Sequence, residues 1–115
     1  MSDKLKQIRI LSYNIQGKMS KTTEDTNITK VSIVLEYMKN NKYDIVCLQE
    51  TKAPTGWMND QAHKINPTYQ VFECANTDNN NKGGVAIICI NPKIKLKKVI
   101  IHNELPFNWA TQITP

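Results

Sequence analysis

Long apolar runs are missing from this chain of 115 residues. A helix that crosses a bilayer needs about 20 consecutive apolar residues, and no stretch approaches that length, so no membrane span is expected. Residues 1 to 9 carry charge but lead into no apolar core of signal-peptide length, which makes an intracellular protein the default. Cysteines are few, odd in number and far apart, at Cys47, Cys74 and Cys89. That spacing fits neither a zinc knuckle nor a disulfide framework and leaves them as small core residues. Histidine is scarcer still. His63 falls in a predicted helix and His102 at the end of a lysine-rich stretch, and both read as exposed structural residues, not as bases. Internal repeats and linkers are absent too, and the length suits one small domain, not two.

What is present is ordinary in amount and informative in arrangement. Apolar residues make up 40% of the chain and charged residues 22%, as in a soluble globular protein. The net charge is +5. A basic surface attracts phosphate backbones by counterion release, so nucleic acid is a natural partner. The abundance of asparagine and isoleucine beside lysine also fits a compositional bias of the genome, and only Lys93, Lys95, Lys97 and Lys98 cluster. Charge alone therefore gives weak support.

The chain is organised around Tyr43-Asp44-Ile45-Val46-Cys47-Leu48-Gln49-Glu50-Thr51-Lys52. Ile45 to Leu48 is a short, wholly apolar run that suits a strand buried on both faces. It turns polar at once and delivers Glu50 to its C-terminal end, where α/β proteins place reactive groups beside a crevice. A strand that simply ends in a solvated loop is the plain alternative.

Upstream, Ile8 to Ile15 reads as a first strand, apolar on both faces and hence central. Gly17 to Thr26 is a loop. A helix follows, with Asn27 as N-cap and Ile28, Val31, Val34, Leu35 and Met38 on one face; Lys30, Glu36 and Lys39 lie off that stripe. Asn40 and Asn41 can supply the left-handed residue that closes it. Strand, helix, strand with a crossover this long implies a parallel pair, so Asn14 and Glu50 should emerge side by side. Downstream, Ala53 to Gly56 is a turn, Trp57 to Ile65 a short helix stopped by Pro67, and Tyr69 to Cys74 a strand. Asn76 to Lys82 is a solvated tip. Val85 to Ile90 is a second apolar strand, paired through an Asn91-Pro92 turn with Lys93 to Ile101 as an antiparallel hairpin.

Three words now stand in order: Ser12-Tyr13-Asn14-Ile15-Gln16-Gly17, Asp44 to Lys52, and Gly83-Gly84-Val85-Ala86-Ile87. Together they resemble the endonuclease/exonuclease/phosphatase family, the metal-dependent phosphodiesterase fold of abasic-site endonucleases and of LINE-type retrotransposon endonucleases. The resemblance runs from about Ile8 to Ile101, and Leu48-Gln49-Glu50-Thr51-Lys52 is its most specific piece. It implies an α/β fold, the N-terminal half of a layered α/β sandwich: β-α-β followed by a largely antiparallel sheet. Residues 1–115 would then be a partial domain, an N-terminal fragment or a truncated gene product. Family members continue with a second sheet, an acid-and-amide pair, an aspartate and a terminal Asp-His step, none of which is found here.

The resemblance also assigns roles. Glu50 matches the family's metal-binding glutamate and would hold Mg²⁺ or Mn²⁺; a hard cation of this kind takes carboxylate oxygen and keeps several waters. Asn14 matches the asparagine at the first strand's rim, which orients a carboxylate or bonds the phosphate. Gln16 stands where abasic-site endonucleases carry an aspartate, a departure that removes one carboxylate and leans toward the LINE type. Gln16, Thr51 and Lys52 are placed to meet substrate phosphate, though Lys52 also reads as a solvated flank. Asp44, Glu73 and Asp78 lie at strand starts, faces or tips, which leaves Glu50 as the expected sole metal ligand. The implied activity is DNA phosphodiester hydrolysis, in partnership with the missing half of the domain. An inositol-phosphate phosphatase or sphingomyelinase-like member, and a non-catalytic nucleic-acid-binding remnant, are the competing readings. The chain alone is expected to be inactive, marginally stable and left with one uncovered apolar sheet face.

Overall fold

Val46 and Leu48 have essentially no solvent exposure, and the sheet is built outward from the strand that carries them. The computed structural model describes residues 7–17, 29–75 and 83–97. In chain order its elements are β1 (Ile10–Asn14), α1 (Lys30–Asn40), β2 (Ile45–Gln49), α2 (Trp57–Ile65), β3 (Gln70–Cys74) and β4 (Val85–Cys89). The fold is α/β, with a mixed sheet in the order β1-β2-β4-β3. β1 and β2 are parallel, with Asn14 opposite Gln49, as the α1 crossover requires. β4 runs antiparallel to β2 on one side and to β3 on the other.

That order corrects the expected hairpin. Both edges of β4 are already occupied, so the chain after Pro92 has no place beside it and forms no strand over residues 93–97. The Gln70 side chain holds this segment instead. Its Nε2 donates to the Ile94 carbonyl at 2.6 Å, and its Oε1 accepts the Leu96 N–H at 3.0 Å. Residues 98–101 of the expected strand, the Asn76 to Lys82 tip, and His102 lie outside the described residues.

A second correction concerns β1, which is an edge strand of the described sheet and not a central one. Ile10 is 58% exposed and Tyr13 48%. Its two apolar faces suggested burial on both sides, but only Leu11 packs against the core. Tyr13 instead lines a shallow apolar groove with Leu11, Ile33, Val34 and Tyr37.

The buried stripe of α1 is Val31, Val34, Leu35 and Met38. It packs in one cluster with Val46, Leu48, Ala86 and Ile88 of the sheet and Met58 and Ala62 of α2. Burial of each large aliphatic side chain there contributes about 1.5–3 kcal/mol. The N-cap is Thr29, not Asn27: its hydroxyl accepts the Ser32 N–H at 3.2 Å. Asn27 and Ile28 lie outside the described residues. At the other end Asn41 stays right-handed and bonds the Tyr37 carbonyl with its side-chain amide, while Lys42 takes the left-handed turn (φ 60°). α2 spans the residues predicted, and Glu73 of β3 accepts the Asn59 N–H of its first turn at 3.1 Å.

On the opposite sheet face, Ile45 and Cys89 are buried with Ile94, and Ile87 and Leu96 pack around them. Of the cysteines expected in the core, only Cys89 is fully buried; Cys47 and Cys74 are half-buried, and none forms a disulfide. Burial raises the Cys47 thiol above its usual pKa. It does the same at Cys89, where the hydrogen bond to the Asn91 backbone opposes the rise and the nearby Asp44 charge adds to it. His63 is structural but half-buried, not exposed: its Nε2–H donates to the Tyr69 carbonyl at 2.8 Å. No helix among the described residues is long and apolar enough to cross a membrane.

Candidate metal centre

Parallel pairing does not stop where β1 and β2 end. The Ile15 N–H donates to the Gln49 carbonyl at 3.0 Å and the Gly17 N–H to the Glu50 carbonyl at 2.8 Å. Two chain segments therefore leave the sheet together at its C-terminal rim. Both then twist into the left-handed region, Gln16 at φ 51° and Glu50 at φ 54°. Such a conformation costs a side-chain-bearing residue on the order of 1–3 kcal/mol and persists where surrounding contacts enforce it, as at functional sites.

The enforced geometry brings Asn14 and Glu50 into contact. Asn14 Nδ2 donates to Glu50 Oε2. Asn14 Oδ1 accepts the Gln16 N–H at 3.0 Å, which fixes the amide with its NH₂ toward the carboxylate. Glu50 is half-buried. The expected adjacency on neighbouring parallel strands is what the structure shows.

The paired glycines find their explanation here. The Thr51 N–H donates to the Gly84 carbonyl at 3.2 Å and the Lys52 N–H to the Gly83 carbonyl at 2.8 Å. A Cβ on Gly84, whose φ is +89°, would lie 2.4 Å from Thr51 Oγ1. Only glycine lets β4 approach the Glu50 loop so closely. Thr51 is accordingly 4% exposed and seats this loop against Gly84, so its side chain is packed inward. Lys52, in the left-handed region at φ 50°, is half-buried. Its stem passes beside Gly17, where Cδ would lie 4.0 Å from an added Cβ. Gln16 is exposed on the same rim.

One residue escaped the sequence reading. Lys30 Nζ donates to the Ile15 carbonyl at 3.2 Å and to the Gln16 carbonyl at 3.0 Å. A signal existed. A cation at the first position of a helix with no acidic residue in its first turn opposes the macrodipole, which sets Lys30 apart from Lys39, the other lysine of α1.

The other described carboxylates near the sheet are engaged elsewhere. At the opposite end of β2, Asp44 accepts the Arg9 N–H at 2.8 Å and Asn91 Nδ2 at 2.9 Å. Glu73 serves α2. Asp78 lies outside the described residues. No group of three or more His, Cys, Asp or Glu able to hold a metal occurs among the described residues. A single oriented carboxylate does not make a cage for zinc or calcium, but it fits Mg²⁺, which keeps its waters and binds through one or two carboxylates and substrate phosphate.

The family model described as "Endonuclease/Exonuclease/phosphatase family" matches residues 11–112. No curated protein matches the chain. Among solved structures, an AP endonuclease from Archaeoglobus fulgidus is similar at 26% identity and a TM-score of 0.52. The match covers 73% of this chain and 28% of that one, so the chain spans well under half the length of this relative. With the family match running from β1 past the Glu50 loop and β4, the chain belongs to the endonuclease/exonuclease/phosphatase family.

Proposed function

We propose that this chain forms the metal-holding part of a divalent-metal-dependent phosphodiesterase that acts on DNA. The observation that carries the reading is the Asn14–Glu50 pair, locked by Gln16 at the C-terminal rim between parallel strands. Glu50 is the ligand for Mg²⁺ or Mn²⁺, and Asn14 positions its carboxylate by donating to one oxygen. When bound, the cation supplies charge stabilisation to a phosphate oxygen and to the leaving oxygen. Lys52 and Gln16, on the same rim, face the phosphate backbone; Thr51 acts from beneath by holding the loop. The amide at Gln16, with no second carboxylate on that segment, favours the LINE-type retrotransposon class over the abasic-site class.

Hydrolysis also needs a base for the attacking water. Among the described residues none is placed for it, since His63 is bonded to Tyr69. The proposed enzyme therefore draws its base from groups beyond this rim. The reading is tested by anisotropy of a fluorescent DNA duplex titrated with the chain in Mg²⁺ and in chelator. Mg²⁺-strengthened binding that is lost in Glu50→Gln supports it, and binding indifferent to both metal and substitution counts against it.

A further inference from the structure

Successive carbonyls of an extended strand point to opposite sides, so one ammonium cannot reach two of them. At Ile15 and Gln16 it does, because Gln16 at φ 51° has left the extended conformation. We propose that Lys30 is a positioning residue for the metal centre. It acts on Glu50 through a chain of contacts and touches neither the cation nor the substrate. The proposal rests on the reading of Glu50 as the metal ligand.

The path is short. Lys30 Nζ draws the Ile15 and Gln16 carbonyls together and thereby fixes the turn at Gln16. The same turn aims the Gln16 N–H at Asn14 Oδ1, at 3.0 Å. With its oxygen held, the Asn14 amide presents Nδ2 to Glu50 Oε2. The Gly17 N–H, one residue on, reaches the Glu50 carbonyl at 2.8 Å. Both the side chain and the backbone of Glu50 are thus referred to a segment that Lys30 clamps. Its seat is rigid: Lys30 opens α1, whose Thr29 cap and buried Val31 tie it to the core. A charged donor makes the stronger kind of hydrogen bond, which suits a clamp that must hold a non-glycine residue left-handed.

The test is a Mn²⁺ titration of the wild-type chain, Lys30→Met, Lys30→Gln, Lys30→Arg and Glu50→Gln. It is read by water-proton relaxation for Kd and by the Asn14 side-chain amide signals in metal-free ¹⁵N spectra. Lys30→Met is expected to weaken Mn²⁺ about tenfold, as loss of a ligand-orienting partner does, and to move the Asn14 amide signals before any metal is added. Lys30→Arg restores both, and Lys30→Gln, a shorter and neutral donor group with two N–H donors, falls between them. Should Lys30→Met lose its fold, the Gln and Arg pair gives the same reading. Wild-type Kd and Asn14 signals in the Lys30 variants, beside a weakened Glu50→Gln, would overturn the positioning role alone. Wild-type affinity in Glu50→Gln would overturn the metal assignment beneath it.

Discussion

A carboxylate stands just outside each end of β2, and the two are treated differently. Asp44, at the N-terminal end, has both oxygens engaged, one by the Arg9 N–H and one by Asn91 Nδ2, and its own N–H bonds the Arg9 carbonyl. Arg9 also lies 4.5 Å over the Tyr43 ring, which stacks on Tyr37. Glu50, at the C-terminal end, sits on a left-handed backbone, and among the described residues only Asn14 Nδ2 donates to its side chain. A carboxylate with both oxygens engaged ties a structure together. One held in place by a single amide, on a backbone that resists the pose, retains lone pairs for a cation. The difference is in how many oxygens are engaged, not in charge.

That contrast breaks most directly under paired substitution. Glu50→Gln should reduce Mn²⁺ affinity by more than the 10–100-fold typical of losing a supporting contact, with the thermal midpoint nearly unmoved. Asp44→Asn should do the reverse, with unchanged Mn²⁺ affinity and a stability loss of about 1–3 kcal/mol from unsatisfied partners, read by urea unfolding. Equal effects of the two on metal binding would erase the distinction between the rims.

Gly84→Ala sharpens it next. The added Cβ would collide with Thr51 Oγ1 on a backbone with φ +89°. A destabilisation of about 1–3 kcal/mol is expected, together with weaker Mn²⁺ binding because the Glu50 loop must move. A smaller change is expected from Thr29→Ala, which removes the cap of the helix that seats Lys30. It should cost about 1 kcal/mol, measurable by the same unfolding curves. The smallest effect is on pH dependence. Burial raises the thiols of Cys47 and Cys89, so folding favours their neutral form. That contribution is complete below the unfolded thiol pKa of about 8.5 and is lost as pH rises through the higher folded values. Stability should therefore decline in the alkaline range, and less steeply in a Cys47→Ala variant.

Much of this was readable from residue pattern. The run Ile45 to Leu48, the α1 stripe and the length of the crossover dictated a parallel pair with Asn14 and Glu50 at one rim, and α2 began and ended where its apolar spacing indicated. What failed were matters of lateral neighbourhood. Apolar residues on both faces of β1 did not reveal that it lies at an edge of the described sheet, because a sequence records which faces are oily and not how many strands stand beside them. Alternation over Lys93 to Lys97 suggested a strand, but β4 had no free edge to pair with it, and Gln70 caught the segment instead. Lys30 was passed over because periodicity assigned it to solvent, whereas its partners are backbone carbonyls fifteen and fourteen residues away. The role of Gly84 likewise depended on Thr51, a contact between distant loops that no local pattern encodes.

The most direct test of the Glu50 centre is an anomalous-difference map from crystals of the chain grown with Mn²⁺. One principal peak is expected about 2.1 Å from a Glu50 carboxylate oxygen, with Asn14 Nδ2 still on the other oxygen. A peak at Asp44 or Glu73, or none at the Asn14–Glu50 rim at saturating Mn²⁺, would contradict it.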